Sequence, residues 1–340
     1  MRLLKSFYLQ GGMCMALPKV YVTQKIQDAG LSLLQGRVDY RLWDSPIPPS
    51  RKTVLEEISS VDGLLATLVV RLDEELLEAG KNLKIISLYA VGYDSVDLAA
   101  ATRRGIMVTN TPGVLTDATA DTAFLLMLMA ARRAIEADRI LRAGEWKYWS
   151  PDFMVGADLT GATLGIVGLG QIGQAMARRA LGFGMKVIYY SRTRMPEMET
   201  SLGVRYCEFE ELLSSSDFVS LHCPLTPQTK NVIGERELRL MKPTAILINT
   251  ARGAVVDQAA LYRACSEGWI KGAGLDVFEK EPVLPEDPIL TLKNITTLPH
   301  IGSATLNARN GMARTAAQNL LDGLEGRRPA NLVNPEVWRG

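Results

Sequence analysis

The glycine fingerprint Gly168-Leu169-Gly170-Gln171-Ile172-Gly173 is the feature that most constrains the fold of this 340-residue chain. The apolar run before it, 163–167, is typical of a buried strand, and the apolar positions of 171–183 have helical spacing. A second strand-like run follows at 186–190. In such a strand–turn–helix–strand unit, the glycines permit a tight turn, close approach of a pyrophosphate and close packing of the helix. The fingerprint therefore predicts a dinucleotide site made by these residues, with a purely structural glycine turn as the alternative.

The residues after the second strand bear on the choice of dinucleotide. An NAD-binding domain usually places a carboxylate there for the ribose 2′-hydroxyl. This chain instead has Ser191, Arg192 and Thr193, and its next carboxylate, Glu197, comes after a proline. A guanidinium and small hydroxyl groups suit a 2′-phosphate. We therefore predict that these three residues bind the cofactor and that NADP is preferred, with NAD as the second option; if Arg192 only covers the adenine, both would be used.

Composition describes an ordinary globular protein. The chain is 47% hydrophobic and 22% charged, with a formal net charge of +1, which gives no electrostatic case for binding nucleic acid or an anionic membrane. The longest apolar stretch, 123–131, is too short to span a bilayer and predicts a buried helix. Because Cys14, Cys207, Cys223 and Cys265 form no CxxC pair, we expect no disulfides and no metal site. These features favour a cytoplasmic location.

The first residues, 1–17, differ from the rest of the chain. They include two cations and several apolar residues, but the run Gln10-Gly11-Gly12 interrupts any hydrophobic core of a signal peptide. We expect an N-terminal tail that belongs to neither domain.

Strand-like runs alternate with helix-like segments along the remaining chain, which is typical of parallel sheets flanked by helices. Before the fingerprint, the predicted strands are 20–22, 63–68, 84–90 and 106–110. From the fingerprint onward, they are 163–167, 186–190, 218–223, 245–250, 272–277 and 295–298. The predicted fold class is therefore α/β, with two doubly wound parallel-sheet domains of Rossmann or flavodoxin type.

The C-terminal segment determines how these domains are connected. Residues 305–324 place an apolar stripe on one helical face, and no strand pattern follows. A helix without a new sheet must pack on a domain already formed. We therefore predict that a dinucleotide-binding Rossmann domain, 116–303, is inserted into a substrate-binding domain made of 18–115 and 304–340. We expect a cleft between the two to hold the substrate, because ligand sites favour domain interfaces and the carboxyl ends of parallel strands.

Only two histidines, His222 and His300, can supply an imidazole. Hydride transfer involving a nicotinamide requires a group that exchanges a proton near neutral pH, and histidine suits this role. His300 follows a predicted strand and Pro299, which places it at the carboxyl end of the sheet. His222 lies inside a strand-like run, where a cofactor-lining role is expected. We predict His300 as the general acid and base.

A carboxylate and a cation are the partners that this imidazole requires. The segment 274–282 leaves a strand end and carries several carboxylates; one of them, beside His300, would orient the ring and favour its protonated form. For Glu279 we favour a solvated loop position. Arg252 follows the strand 245–250, and its guanidinium can grip a carboxylate and a keto oxygen together. Membership of a structural ion pair is the alternative for Arg252.

Four ordered motifs carry a resemblance to a known family. After the fingerprint come Asn-Thr-Ala-Arg-Gly at 249–253, Gly-Leu-Asp-Val-Phe-Glu-Lys-Glu-Pro at 274–282, and Leu-Pro-His-Ile-Gly-Ser-Ala-Thr at 298–305. From about Lys19 to near the C-terminus the chain resembles the D-isomer-specific 2-hydroxyacid dehydrogenases. Within them it is most similar to the glyoxylate and hydroxypyruvate reductases.

The resemblance implies roles for individual residues. Arg252 would grip the substrate, Glu281 would polarise the histidine, and His300 would be acid and base and also contact the substrate. Backbone N–H groups at 89–94, in particular those of Val91 and Gly92, would receive the substrate carboxylate; glycine permits a close approach there. The remaining cofactor-lining residues would be Thr119, Pro224, Thr250, Ala251, Asp276 and Gly302.

The implied activity is NAD(P)H-dependent reduction of a small 2-keto acid, glyoxylate or hydroxypyruvate, to the D-2-hydroxy acid. Alternatives within this fold are dehydrogenases of D-lactate, D-3-phosphoglycerate or a bulkier 2-keto acid, and a dinucleotide-sensing, corepressor-like binding module is a further one. The resemblance also implies a homodimer formed through the dinucleotide-binding domain by 124–149, where Trp146 or Trp149 would reach the partner's cleft; packing in the core of the protein itself is the alternative for either tryptophan.

Overall fold

The computed structural model describes residues 16–338. These residues divide into two compact units. The first comprises the described residues up to Asn110 together with those from Ala313, and the second is Thr111–Met312, so the second is inserted in the sequence of the first. The limits predicted from the sequence, 116 and 303, both fall inside the second unit. The predicted tail, as far as residue 15, lies outside the described residues.

The described part of the first unit contains a five-stranded parallel sheet with the strand order β2-β1-β3-β4-β5. This is the flavodoxin-like order. The elements are β1 (Lys19–Val22), α1 (Asp28–Leu34), β2 (Asp39–Leu42), α2 (Arg51–Ile58), β3 (Gly63–Ala66), α3 (Glu74–Ala79), β4 (Ile85–Leu88), α4 (Leu98–Arg103) and β5 (Met107–Thr109).

The second unit contains a seven-stranded parallel sheet with the order β12-β11-β10-β9-β6-β7-β8. Starting from β6, this is the Rossmann order continued by one strand. The elements are α5 (Thr116–Ala131), α6 (Ala134–Arg142), β6 (Thr163–Val167), α7 (Gln171–Gly182), β7 (Lys186–Tyr190), α8 (Pro196–Leu202), β8 (Arg205–Tyr206), α9 (Phe209–Ser215), β9 (Phe218–Leu221), α10 (Glu235–Leu240), β10 (Ile246–Asn249), α11 (Gln258–Ser266), β11 (Gly272–Leu275) and β12 (Ile295–Thr297). The last helix, α12 (Leu306–Leu324), contains the boundary between the units.

The core of the first unit lies on both faces of its central strands, where every residue of β3 and β4 is buried. The part of α12 that belongs to this unit packs directly on it. A Cβ added at Gly30 would lie 2.4 Å from the carbonyl oxygen of Ala313, and the Ser87 hydroxyl donates to the carbonyl of Ala316 at 2.8 Å. Helix α12 therefore packs closely on the backbone of α1 and is hydrogen-bonded to a side chain of β4.

Strand register in the second unit positions the functional loops. Asn249 of β10 pairs with Leu275 of β11, and Leu275 pairs with Thr297 of β12. Because the strands are parallel, the loops that follow them emerge together at one edge of the sheet. This brings the segments after β10, β11 and β12 side by side, although they are far apart in sequence.

The structure confirms the predicted fold class and corrects its details. Two edge strands, β2 and β8, were not predicted, because their side chains are exposed or half-buried and so form no apolar run. Some predicted strands are also too long: β4 ends at Leu88 rather than at residue 90, because the next residues stay buried after leaving the ladder. The apolar stretch 123–131 belongs to α5, which buries several of its residues.

None of the helices within the described residues has the length and apolar character needed to cross a membrane.

Candidate active site

The three fingerprint glycines have different local surroundings. Gly168 has a φ of +96°, and a Cβ there would lie 2.9 Å from the backbone nitrogen of Cys223; a Cβ at Gly173 would lie 2.3 Å from the carbonyl oxygen of Gly168. Both positions therefore require glycine for the packing of the protein itself. Gly170 is different, since no heavy atom of the described chain other than those of Gly170 and its two chain neighbours lies within 4 Å of the place where its Cβ would be. That open space suits the close approach of a ligand.

The start of α7 fits the phosphates of a dinucleotide. Gly170 is its N-cap and supplies no side-chain hydrogen bond, so the first N–H groups of the helix retain their capacity to bind an anion. The Leu169 N–H donates to the Ser191 hydroxyl at 2.8 Å, which ties the end of β7 to the fingerprint. At the carboxyl end of β10, two strands from β6, the Thr250 hydroxyl is buried without a hydrogen-bond partner among the described residues. A buried polar atom without a partner is a natural contact for a cofactor.

The segment after β7 presents a single uncommitted guanidinium. Arg194 donates to both carboxylate oxygens of Glu199, at 2.7 and 2.8 Å, and lies over the Tyr206 ring. This arginine, with the Tyr189 hydroxyl, lowers the pKa of Glu199 to about 2. Arg192 is exposed and makes no hydrogen bond or ion pair with any described residue. Arg192, rather than Arg194, is therefore placed to receive a further anion.

His300 and Glu281 form a hydrogen-bonded pair. The Nδ1 atom of His300 lies 2.6 Å from the Oε2 atom of Glu281, and the other carboxylate oxygen accepts the Phe278 N–H at 2.9 Å. Burial would raise the pKa of Glu281, but the hydrogen bond to His300, the nearby charges and the Phe278 N–H together hold it below its usual value. Glu281 is therefore an ionised carboxylate at neutral pH. It fixes the orientation of the imidazole ring.

Asp276 holds the backbone around His300. Its carboxylate accepts the N–H groups of Ile301 and Gly302 at 2.8 and 2.7 Å, and its carbonyl accepts the His300 N–H at 2.9 Å. His300 has a φ of +54°, which is uncommon for a residue with a side chain, and these three bonds stabilise it. Burial raises the pKa of Asp276 against the effect of its backbone donors. Thr119 lies beside the same group, since a Cβ at Gly302 would be 3.5 Å from its methyl carbon.

Arg252 lies on the loop after β10 and completes the cluster. Its Nη1 atom donates to the carbonyl of Ala251 at 2.8 Å, and its positive charge contributes to lowering the pKa of Glu281. The next residue, Gly253, packs against the Glu281 loop so closely that a Cβ there would lie 1.9 Å from the carbonyl carbon of Phe278. The fold therefore brings a guanidinium, a carboxylate and an imidazole together from three strand ends. Such a group can protonate a carbonyl oxygen and hold an anion beside it.

The remaining predicted residues lie in several places. His222 is half-buried, bonds to the Ser220 hydroxyl at 2.9 Å, and has its pKa lowered to about 4 by burial, so it is neutral at neutral pH. Pro224 follows β9, and its carbonyl accepts the Thr229 hydroxyl at 2.6 Å. Val91 and Gly92 follow β4 in the first unit, and their assignment to substrate binding stays a prediction.

Sequence reasoning missed two residues of this site, Asn249 and Gly253. Both organise the Arg252 loop, and the available signal was an amide side chain that ends an otherwise apolar strand.

Cys207, Cys223 and Cys265 are free thiols, whereas Cys14 lies outside the described residues. Across residues 16–338, no group of three or more His, Cys, Asp or Glu side chains is arranged to hold a metal ion.

Two parallel α/β units and this site define a Rossmann-type α/β protein with a glycine-fingerprint domain. Comparison with known proteins gives a narrower assignment. Residues 124–302 match the family described as D-isomer specific 2-hydroxyacid dehydrogenase, NAD binding domain. The chain is also 56% identical over 324 residues to a glyoxylate reductase from Thermococcus litoralis, covering 94% of this chain and 98% of that protein. The chain belongs to the D-isomer-specific 2-hydroxyacid dehydrogenase family.

Solved structures agree with this assignment. A glyoxylate reductase from Paecilomyes thermophila has a TM-score of 0.85 at 35% identity, covering 94% of this chain and 99% of that one. An NADPH-dependent glyoxylate/hydroxypyruvate reductase from Sinorhizobium meliloti, in complex with NADP and malonate, has a TM-score of 0.82 at 33% identity and covers 96% and 99%.

Proposed function

We propose that this protein is a cytoplasmic reductase that converts glyoxylate, and also hydroxypyruvate, to the D-2-hydroxy acid with NADPH. The observation that carries the proposal is the pair formed by His300 and Glu281, with Arg252 beside it, in the same unit as the dinucleotide fingerprint. The names of the relatives support the choice of substrate.

The residues of the cluster divide the chemistry between them. When bound, the reduced dinucleotide supplies the hydride. Protonated His300 donates its proton to the keto oxygen, which becomes the hydroxyl of the product. Glu281 stabilises the imidazolium before this transfer and holds Nδ1, so that Nε2 is the nitrogen that exchanges the proton. Arg252 holds the keto acid and stabilises negative charge that develops on the keto oxygen.

The residues proposed to hold the cofactor lie along the carboxyl edge of the second sheet. The fingerprint and the start of α7 would bind the pyrophosphate, and Thr119, Thr250, Ala251, Asp276, Gly302 and Pro224 would line the remainder. At the far end, Ser191, Arg192 and Thr193 would bind a 2′-phosphate. Two observations support a preference for NADP. The guanidinium of Arg192 makes no bond to a described residue and is placed to bind a phosphate. Residues 191–194 contain no carboxylate that would repel it, and Glu199 is paired with Arg194. Val91 and Gly92 remain the proposed backbone donors to the substrate carboxylate.

We further propose that the protein is a homodimer that associates through its second unit. Helix α6 buries none of its residues, and the adjoining segment leaves Trp146 and Trp149 51% and 74% exposed. Ile135 and Leu141 of α6 are also exposed. Four large apolar side chains exposed within residues 135–149 support an association site in this segment, and mass measurement in solution by light scattering would test it.

Steady-state kinetics test the proposed activity directly. Purified protein is assayed with glyoxylate, hydroxypyruvate, pyruvate and 3-phosphohydroxypyruvate, each with NADPH and with NADH, and the chirality of the product is determined. The expected result is the highest kcat/KM with glyoxylate or hydroxypyruvate and NADPH. A preference for pyruvate or for the phosphorylated acid would instead identify the protein as a dehydrogenase of that substrate. Absence of turnover with every acid, together with cofactor-dependent capture of a protein partner, would favour a binding module.

A further inference from the structure

The Arg252 loop is closed by one buried amide side chain. Asn249 is the last residue of β10 and is 1% exposed. Its Nδ2 atom donates to the carbonyl of Arg252 at 2.8 Å, and its Oδ1 atom accepts the N–H of Ala251 at 3.0 Å. Both bonds go to the backbone of the loop that carries Arg252. The side chain thus determines the path of that loop directly.

The same residue anchors this loop to the sheet. The backbone carbonyl of Asn249 accepts the N–H of Asp276 at 3.0 Å, and Asp276 holds the backbone of His300. On the other side of the loop, Gly253 packs on the backbone of Phe278 and Glu279 without room for a side chain. A displacement of the Arg252 loop would therefore have to disturb contacts on both sides.

We propose that Asn249 is a positioning residue that holds Arg252 in the orientation required to bind the anionic keto acid. This inference rests on the proposed function, which gives Arg252 the task of holding the substrate. Only asparagine satisfies both bonds at this length: aspartate lacks the donor for the Arg252 carbonyl, and serine cannot donate and accept over the same span. Asn249 itself takes no part in proton or hydride transfer.

The variants Asn249→Asp and Asn249→Ser separate the two bonds. Aspartate keeps an acceptor for the Ala251 N–H but replaces the donor to the Arg252 carbonyl by a negatively charged oxygen, whereas serine disrupts both bonds without adding a charge. Asn334→Asp is the matched control, because Asn334 is also 1% exposed and bridges a backbone N–H and a backbone carbonyl, those of Val108 and Ile106, in the first unit. The control separates loss of a buried amide from loss of the Arg252 contact.

Kinetics and hydrogen exchange then test the proposal. Both Asn249 variants are expected to raise the KM for glyoxylate by about tenfold, with a smaller effect on kcat and an unchanged dissociation constant for NADPH. In an Arg252→Ala background, either substitution is expected to add little further loss, since a residue that acts through Arg252 has nothing left to position. The Asn334→Asp variant is expected to keep the KM of the wild type.

Amide exchange in the protein without substrate gives an answer independent of turnover. In Asn249→Ser, the backbone amides of 250–255 are expected to exchange faster, while those of β11 keep their protection. Unchanged exchange of the loop would overturn the inference even if glyoxylate is the substrate. A full additional loss in the Arg252→Ala background would also overturn it, because Asn249 would then act by another route. If the wild type reduces no keto acid but the loop still loosens, the proposed function fails while the control of the Arg252 loop by Asn249 stands.

Discussion

His300 and Glu281, separated by 19 residues in sequence, are joined by a 2.6 Å contact between Nδ1 and Oε2. This contact commits one imidazole nitrogen to the carboxylate and leaves Nε2 for proton exchange. Asp276 holds the backbone of His300 in its left-handed conformation through three hydrogen bonds. Ring orientation and backbone conformation of His300 therefore have separate supports, and they can be removed one at a time.

Replacing the proton donor tests its role most directly. His300→Gln should lower kcat by about two to four orders of magnitude, the usual contribution of a general acid. The dissociation constant of NADPH, measured by fluorescence titration, should stay unchanged, since the fingerprint is untouched. Turnover close to that of the wild type would reject His300 as the proton donor.

Replacing the carboxylate should lower turnover without changing cofactor binding. Oε2 of Glu281 lies 2.6 Å from Nδ1 of His300 and holds the ring in one orientation, whereas the amide of Glu281→Gln can present either a donor or an acceptor to that nitrogen. The kcat for glyoxylate should fall by about ten- to a hundredfold, while the dissociation constant of NADPH stays that of the wild type. A kcat close to the wild-type value would contradict this assignment.

Arg192 should determine the cofactor ratio. Arg192→Asp should lower kcat/KM for NADPH relative to NADH by roughly ten- to a hundredfold, the range expected for one charge-assisted phosphate contact. Arg178 is an exposed arginine on α7, outside the segment that follows β7, and Arg178→Asp provides a control for the change in net charge. Equal ratios in the two variants would show that Arg192 does not bind the 2′-phosphate.

A methyl group at Gly170 should affect the cofactor and not the fold. Beyond Gly170 and its chain neighbours, no heavy atom of the described residues lies within 4 Å of the added Cβ, so Gly170→Ala should unfold at nearly the wild-type temperature when no ligand is present. The affinity for NADPH should fall by at least about tenfold, since the methyl occupies space needed by the pyrophosphate. Gly182→Ala, at the end of α7 and equally unobstructed, should leave that affinity unchanged. Unaltered NADPH binding in Gly170→Ala would place the phosphates elsewhere.

His222 should make the protein less stable in acid. Its pKa is about 4 in the folded protein, below the ordinary value, so between about pH 6.5 and 4 the unfolded chain binds more protons at this residue. The free energy of unfolding should therefore fall as the pH drops through this window, by about 2 to 3 kcal/mol from this residue alone. Urea unfolding of the wild type and of His222→Gln at several pH values measures the difference. Parallel curves for the two proteins would show that His222 titrates normally.

Much of the architecture follows from local sequence patterns. Apolar runs of strand length, alternating with helical periodicity, indicate two parallel sheets, because burial on both faces leaves a direct mark on the sequence. Edge strands leave no such mark: the side chains of β2 and β8 are exposed or half-buried, and only the structure reveals these two strands. The positive φ of Gly168 and the packing of Gly173 on the Gly168 carbonyl are likewise local, so the turn before α7 was predictable. The close approach of Gly168 to Cys223 is a contact between distant segments and was not.

The site depended on contacts between distant segments. The sequence by itself determined which residue types follow each strand: an arginine after β10, carboxylates after β11 and a histidine after β12. Only the tertiary structure decided that Glu281 meets His300, that Glu199 neutralises Arg194 and leaves Arg192 uncommitted, and that Asn249 closes the loop of Arg252. The physical reason is that hydrophobic periodicity and turn chemistry act over neighbouring residues, whereas these pairings depend on the register of β10, β11 and β12 and on the loops that emerge from them.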